Sequence, residues 1–429
     1  MAKIAVVGAG YVGLTTGACL ASLGHDVVVA DIDTDKVDLL KQGQIPFVEE
    51  GLEQIVRDGS DAGRLRFVVG AAEACADAEF HYLCVPTPLA ADGTADLSFI
   101  TAAATSIAGV LPTDAVIVNK STVPVGTTTV VEGIIARPDV AVVSNPEFLR
   151  EGSAVHDFLH PDRIVIGAAD PEAARRVRAL YDNVDAPILI TDPVSSELVK
   201  YASNAFLATK LTFANEIATL CEKVGADADQ VLLGMGLDPR VGTSFLKPGP
   251  GWGGSCFPKD TATMVQIAAS AGLELDFLTQ IIEMNDRHIA RVGAKVRASL
   301  DGELAGKTIA VWGLTFKAGT DDLRASPALA VLEHLQGPQT TIVAYDPTVT
   351  TVLAQASYLS ISADPVQAAA NADVLVVLTE WPEFSTVDAT DLAAAMKQRR
   401  IVDARNVLDR DTFHAAGFDV VGVGTKESL

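Results

Sequence analysis

The sequence predicts an α/β protein built from two doubly wound parallel-sheet domains, joined by a long central helix and a helical domain. Three observations carry the prediction. Short buried-strand patterns alternate with helical patterns through the first 193 residues; the same alternation restarts at Gly306-Lys307; and between them lie two long helical stretches with no strand signal. At 429 residues the chain exceeds what one core supports, and it divides into residues 1–193, 194–302 and 303–429.

The first strand, Lys3 to Val7, runs into Gly8-Ala9-Gly10-Tyr11-Val12-Gly13 and then a helical pattern through Leu23. That order gives the glycines a physical meaning: a tight turn, close backbone approach to a pyrophosphate, and close packing of helix on strand. The domain is therefore expected to be Rossmann-like. A second strand, Asp26 to Ala30, ends at Asp31, where a carboxylate binds a ribose 2′-hydroxyl and repels a 2′-phosphate. The expected cofactor is NAD rather than NADP. Strands follow at Leu65–Val69, Phe80–Val85, Ala115–Asn119 and Val140–Ser144, with helices at Leu97–Leu111 and Gly126–Ile135. Ligands of such sheets collect beyond the C-terminal strand ends, which here carry Pro86-Thr87-Pro88, Ser121-Thr122-Val123-Pro124 and Asn145-Pro146-Glu147. The hydroxyls of Thr87, Ser121 and Thr122 are candidates for phosphate, ribose or water, against ordinary turn chemistry. Glu147 and Glu151 are four residues apart, which one helical turn would present to one side.

Val194 to about Gly225 reads as a single helix without internal Gly or Pro, about 48 Å long at 1.5 Å per residue. Its apolar residues, Leu198, Tyr201, Ala205, Phe206, Leu211 and Phe213, wrap broadly, which predicts burial between layers or in a subunit contact. Lys200 and Asn204 interrupt that surface on one face. A half-buried lysine there can stabilise a developing oxyanion or move a proton; a snorkelling lysine with a surface asparagine is the plain alternative. A second helix, Leu275 to Leu300, is expected to pack with the first.

Between the two helices, Gly251-Trp252-Gly253-Gly254-Ser255-Cys256-Phe257-Pro258-Lys259-Asp260 is the stretch expected to hold the chemistry. Ser255 as a cap and Pro258 in the first turn put Cys256 at a helix N-terminus, where a thiol is biased toward thiolate. Asp260 then falls on the same face as a proton acceptor. A buried, inert cysteine is the competing account. The preceding Ser244–Pro250 segment is too rich in Pro and Gly for regular structure, and Arg240 and Lys247 beside it are candidate partners for an anionic ligand or an opposing subunit.

In the last domain strands are expected at Ile309–Leu314, Thr341–Tyr345, Val374–Leu378, Ile401–Asp403 and Val420–Val423, with a helix from Pro327 to Leu335. It lacks a Gly-x-Gly-x-x-Gly turn, but its strand-end loops carry Lys317, Arg324 and Arg405, which with Lys247 read as a pyrophosphate site. Scattered surface charge is the alternative.

Composition narrows the function. A formal net charge of -23 argues against nucleic-acid binding and requires any anionic ligand to meet local clusters of Lys and Arg. The five cysteines are scattered, without a Cys-x-x-Cys pair, so neither a disulfide framework nor a zinc site is indicated and a reducing cytoplasm is expected. Met1-Ala-Lys-Ile runs straight into a strand, leaving no room for a signal peptide, and the longest uncharged run, Leu97 to Thr113, is too short and too polar to span a membrane. His156 and His160 share a metal-like spacing with no third ligand in view, so they are read as structural.

Taken together, Gly-Ala-Gly-Tyr-Val-Gly-Leu (8–14), Cys-Val-Pro-Thr-Pro (84–88), Ser-Thr-Val-Pro (121–124), Asn-Pro-Glu-Phe-Leu-Arg-Glu-Gly (145–152), Lys200 with Asn204, Gly-Gly-Ser-Cys-Phe-Pro-Lys-Asp (253–260) and Thr-Phe-Lys (315–317) make the chain resemble the nucleotide-sugar 6-dehydrogenases over nearly its whole length. The resemblance implies an NAD-dependent, four-electron oxidation of a sugar's primary alcohol to a carboxylate. UDP-glucose, giving UDP-glucuronate, is the expected substrate; GDP-mannose and UDP-N-acetylhexosamines are the alternatives, and a homodimer is the expected assembly. Hydride transfer alone stops at the aldehyde, whereas a thiolate adduct carries a second hydride, so the cysteine is required. Carried over by resemblance, Cys256 forms a thiohemiacetal and then a thioester that water hydrolyses; Asp260, Glu147 and Thr122 manage protons and that water; Lys200 and Asn204 hold the substrate oxygen. The resemblance implies NAD contacts from Gly8, Gly10, Tyr11, Val12, Gly13, Asp31, Lys36, Thr87, Ser121, Thr122, Glu151, Lys259 and Arg324. It implies substrate contacts from Phe148, Leu149, Arg150, Lys200, Asn204, Phe245, Leu246, Lys247, Gly253, Phe257, Phe316, Lys317 and Arg405, with Arg240 reaching a neighbouring subunit's site. The chain departs from the family pattern at Trp252, where Phe is usual, and at Ala404, where Gly is typical. Two rival functions remain: a two-electron hydroxyacid dehydrogenase, which needs no cysteine, and a non-catalytic nucleotide-sugar or NAD sensor.

Overall fold

The computed structural model describes residues 1–90, 93–352 and 354–425. They form two compact units, Met1–Ser203 with Ala262–Leu273, and Asn204–Thr261 with Glu274–Leu429.

In chain order the first unit contains β1 (Lys3–Val7), α1 (Tyr11–Ser22), β2 (Asp26–Asp31), α2 (Thr34–Lys41), α3 (Leu52–Asp61), β3 (Leu65–Val69), α4 (Ala71–Cys75), β4 (Phe80–Leu83), α5 (Ser98–Ala108), β5 (Val116–Asn119), α6 (Thr127–Ile135), β6 (Ala141–Ser144), α7 (Ala154–Leu159), β7 (Ile164–Ala168), α8 (Pro171–Ala179) and β8 (Ile188–Thr191). The sheet order is β3-β2-β1-β4-β5-β6-β7-β8, so the winding reverses between β1 and β4. Successive residues of β1 enter opposite cores: Ile4 and Val6 pack with Leu14 and Ala18 of α1, Ala5 and Val7 with Ile100 and Ala104 of α5. Two-sided burial is why the strands read as nearly unbroken apolar runs. The sheet is parallel, as expected, with one exception: β7 runs antiparallel to β6, and the sequence reading did not extend to β7 and β8. An apolar run carries no sign of the sense in which it will pair.

Helix α9 (Pro193–Val224), 32 residues long, passes from the first unit into the second at Ser203-Asn204. After it come α10 (Ala228–Gly236), α11 (Phe257–Ser270), α12 (Asp276–Ser299), β9 (Thr308–Trp312), α13 (Pro327–Glu333), β10 (Thr341–Tyr345), β11 (Leu359–Ile361), α14 (Pro365–Ala368), β12 (Val374–Val377), α15 (Ala389–Ala395), β13 (Arg400–Asp403), α16 (Arg410–Ala415) and β14 (Asp419–Gly422). The second sheet is parallel, in the order β11-β10-β9-β12-β13-β14. Ile309 and Val311 pack toward Val292 and Val296 of α12, and Ala310 and Trp312 toward Leu392 and Phe413.

The broad apolar wrap of α9 divides in the structure. Tyr201 and Ala205 are buried, whereas Phe206 is 64% and Phe213 47% exposed in the single chain. The spacing of Glu147 and Glu151 has no helix to act on, since residues 145–150 are irregular.

Candidate active site

The turn after β1 separates the duties of its glycines. Gly8 has φ +101°, and a Cβ there would lie 2.6 Å from the Cys84 carbonyl oxygen; at Gly13 it would lie 1.9 Å from the Gly8 carbonyl oxygen. Gly10 faces open space. Packing demands the first and third, and the second leaves the start of α1 open to an approaching group. That helix begins at Tyr11 with no acidic residue in its first turn, so its positive end is available to an anion. Asp31 accepts from the Ala9 N–H at 2.8 Å, the Asp33 N–H at 3.0 Å and Lys36 Nζ at 3.1 Å. Burial pushes its carboxyl pKa up, but those bonds outweigh burial and hold it below the usual range. An open turn at a helix N-terminus with an ionised acid at the neighbouring strand end fits NAD.

The hydroxyls on the other strand ends are partly committed. Thr87 Oγ1 donates to the Thr122 carbonyl at 2.8 Å and Ser121 Oγ to the Val85 carbonyl at 2.7 Å, so their oxygens remain as acceptors rather than donors. Tyr11 Oη accepts from the Gly152 N–H at 2.6 Å, tying the helix start to the 145–152 loop, which also carries Glu151. Val12 and Thr122 are half-buried.

Glu147 and Lys200 meet in the core of the first unit. Lys200 Nζ lies 2.8 Å from Glu147 Oε1, and Glu147 Oε2 accepts from the Leu149 N–H at 2.6 Å. Both side chains are almost wholly buried. Burial pushes the Glu147 carboxyl up, yet the Lys200 ammonium, the Leu149 N–H and the charge of Lys120 together hold it below the ordinary carboxylate range. Phe148 is flanked by cations, with the Arg163 guanidinium 3.6 Å and Lys200 Nζ 5.5 Å from its ring centroid. Leu149 packs on the core, and the Arg150 side chain instead pairs with Asp157. Sequence reasoning missed Lys120 and Arg163. The only available signal for Lys120 was a lysine closing an apolar strand, Val116 to Asn119.

In the second unit Cys256 immediately precedes α11, and its carbonyl accepts from the Asp260 N–H at 2.8 Å. Cys256, rather than Ser255, therefore stands where the cap was expected; Ser255 Oγ lies 3.6 Å from Cys256 Sγ. Asp260 is fully buried, receiving Asn204 Nδ2 at 2.6 Å and Lys259 Nζ at 2.5 Å. Its carboxylate is thus held at both oxygens. Of the five cysteines, Cys256 alone is not buried, and burial pushes the thiols of Cys19, Cys75 and Cys84 up to about 12. Those three are inert at neutral pH.

The loop ahead of Cys256 fits its neighbours closely. A Cβ at Gly253 would sit 2.0 Å from the Ala325 carbonyl oxygen, and one at Gly254 2.8 Å from the Phe316 ring. Trp252 is buried, with Nε1 donating to Thr212 Oγ1 at 2.8 Å and its ring edge-on to Phe257 at 6.4 Å. An indole suits this position because its N–H has a partner. Phe245, at φ 60°, packs 6.3 Å from Phe257; Leu246 is buried and Lys247 exposed. The expected cations are differently placed. Arg405 donates to the Leu378 and Phe316 carbonyls, each at 3.0 Å, pairs with Glu380 at 3.0 Å, and lies beside Gly249. Lys317 Nζ lies 5.6 Å from the Phe316 ring centroid. Arg324 and Arg240, however, fold back on Asp322 and Asp238, at 2.7 and 2.6 Å, because each has an acid two residues earlier. Among the described residues no group of His, Cys, Asp and Glu is arranged to hold a metal, and no helix is long and apolar enough to cross a membrane.

An NAD-type turn with its strand-end acid, two doubly wound units, and a solvent-accessible cysteine opening a helix define an NAD-dependent oxidoreductase. Residues 2–185 match the NAD binding domain of the UDP-glucose/GDP-mannose dehydrogenase family, residues 194–287 its central domain and residues 310–410 its UDP binding domain. The chain belongs to that family. It is 46% identical to the UDP-glucose 6-dehydrogenase of Rhizobium meliloti (strain 1021), covering 98% of this chain and 99% of that one. It is 43% identical to the UDP-glucose 6-dehydrogenase YwqF of Bacillus subtilis (strain 168), over 99% and 98%. Among solved structures, a UDP-glucose dehydrogenase from the archaeon Pyrobaculum islandicum superposes with a TM-score of 0.89 at 36% identity, covering 99% of this chain and 98% of that one.

Proposed function

We propose that this chain oxidises the primary alcohol of UDP-glucose to the carboxylate of UDP-glucuronate. The observation that carries the proposal is that Cys256 alone among the cysteines is open to solvent, at the start of a helix whose next turn holds the buried Asp260–Asn204 pair. NAD, when bound at the Gly8–Gly13 turn, supplies the hydride acceptor for each of the two oxidations. The Cys256 thiolate adds to the aldehyde carbon, giving a thiohemiacetal whose oxidation leaves a thioester. Water attacks that thioester, the C–S bond breaks, and carboxylate and thiolate are released. Asp260, fixed through both oxygens, accepts a proton near the sulfur. Lys200 and Glu147, 2.8 Å apart, pass a proton between the reacting oxygen and the carboxylate, and Lys200 with Asn204 stabilises negative charge on that oxygen. Thr122 helps to hold the attacking water. The nucleotide-sugar contacts proposed are Phe148 and Leu149 of the first unit and Phe245, Leu246, Gly253, Phe257, Phe316, Lys317 and Arg405 of the second.

The working division of labour is residues 1–193 for NAD, 194–302 for the cysteine loop and assembly, and 303–429 for the nucleotide sugar. Assembly as a homodimer through α9 is supported by Phe206, Phe213 and Leu220, exposed at intervals of seven on one face. Five cysteines, none of them in a disulfide, support a reducing, cytoplasmic setting. The test is the reaction itself: purified protein with UDP-glucose in limiting amount is expected to yield two NADH per sugar. A ratio of one would favour the hydroxyacid-dehydrogenase alternative, and no turnover with UDP-glucose, GDP-mannose or UDP-N-acetylhexosamines would overturn the enzymatic reading.

A further inference from the structure

Lys120 follows β5 and is 5% exposed, yet its hydrogen bond goes to a neutral group, Asn145 Oδ1, at 3.2 Å. Asn145 is pinned from two other sides: Tyr181 Oη donates to the same oxygen at 2.7 Å, and Nδ2 donates to the Val165 carbonyl at 2.8 Å. Tyr181 in turn meets Tyr82 Oη at 3.3 Å. Every member of this chain of bonds is buried. Lys120 and Glu147 line one cavity of about 130 Å³. Of the charged groups around that cavity, Arg150 and Asp157 pair with each other, so Lys120, Lys200 and Arg163 stand against Glu147 and Asp162, which leaves one positive charge in excess. An ammonium buried without its own counter-ion is disfavoured relative to an apolar side chain of the same length. Such an excess matches a reaction in which negative charge appears on an oxygen.

We propose that Lys120 is a positioning residue for the oxidation: Asn145 and Tyr181 hold its ammonium in the Glu147 cavity, where its charge supports the Glu147–Lys200 pair as negative charge forms on the reacting oxygen. The inference rests on the roles given above to Glu147 and Lys200. The other titratable and charged groups around Glu147 are Arg163, stacked on Phe148 ahead of β7, Asp162 beside it, Arg150 paired with Asp157, the Cys84 thiol after β4, kept neutral by burial, and the Tyr181 phenol after α8. His156 of α7 and His160, which follows it, line the same cavity.

The test compares Lys120→Met, Lys120→Arg and Tyr181→Phe with the parent enzyme in steady-state oxidation of UDP-glucose, across pH, with thermal unfolding measured alongside. Lys120→Met is expected to lower kcat on the order of 10- to 100-fold with KM nearly unchanged. It should also move the acid limb of the kcat profile to higher pH, because Glu147 loses a cation. The limb should move equally in a His156→Gln, His160→Gln background. Lys120→Arg is expected to recover most of the rate, and Tyr181→Phe to fall between. A folded Lys120→Met enzyme with the parental acid limb, or a Lys120→Arg enzyme as impaired as Lys120→Met, would overturn the proposal. Should Lys120→Met not fold, Tyr181→Phe decides, and an unmoved acid limb there overturns it as well. A parent enzyme that oxidises no nucleotide sugar would instead defeat the functional reading beneath it.

Discussion

Alanine at Gly10 and alanine at Gly13 are expected to have opposite consequences, although only two residues separate them. At Gly13 the new Cβ would stand 1.9 Å from the Gly8 carbonyl oxygen and 2.9 Å from Cys84 Cβ. The first of these is backbone, so relief requires opening the turn. Overpacking of this kind costs about 1–3 kcal/mol, and at about 2–4 °C per kcal/mol for a domain of this size the melting temperature should fall by roughly 2–12 °C. At Gly10 the Cβ meets nothing within 4 Å, and φ is -76°, which any residue adopts. The cost there is that of a poorer helix cap, about 0.5–1 kcal/mol. NAD affinity should nevertheless fall about 100-fold, roughly 2.8 kcal/mol at 1.4 kcal/mol per decade, because the methyl occupies the approach to the start of α1. Differential scanning calorimetry separates the two effects, and calorimetric titration with NAD measures the second. An unchanged NAD Kd in Gly10→Ala, or wild-type melting of Gly13→Ala, would refute the division of roles.

Cys256→Ser should abolish formation of the carboxylate, and with it the second NADH, while UDP-glucose binding, followed by titration, is retained; full turnover in that variant would rule out covalent catalysis. His81, wholly buried in β4, has its pKa lowered to about 4 by burial, against the opposing pull of the Ala78 carbonyl. Its folded value lies below the unfolded one, so its contribution is complete above about pH 6.5 and is lost as pH falls toward 4, about 3 kcal/mol in all. Urea unfolding of His81→Leu should show a shallower pH dependence across that window, and identical slopes would contradict the assignment. Phe206→Glu with Phe213→Glu should convert a dimer to a monomer in light scattering, whereas a monomeric parent protein would dispose of the dimer.

Much of the candidate site's local geometry was legible because its signals are local. The Gly8–Gly13 turn, Asp31 and the start of a helix at Cys256 depend on residues within one strand, turn and helix, and the glycine geometry follows from sterics over a few bonds. The nearby acids that capture Arg240 and Arg324 are local too, but composition treats a cation as available until its geometry is known. The Glu147–Glu151 spacing misled for a related reason: a helical interval means nothing where proline and loop backbone prevent a helix.

What the amino-acid sequence determined alone was the α/β class with its first six strands, the dinucleotide turn and the helix that Cys256 opens, since each is encoded over short spans by periodicity and backbone freedom. Tertiary structure decided which side chains share a bond: Lys200 with Glu147, Asn204 with Asp260, and Lys120 with Asn145 and Tyr181. It also decided that β7 runs against β6 and that Cys256 alone escapes burial. These partners lie tens of residues apart in the chain, and what brings them together is the burial of two-sided sheets between helices, an energy that belongs to the packed molecule and to no single segment.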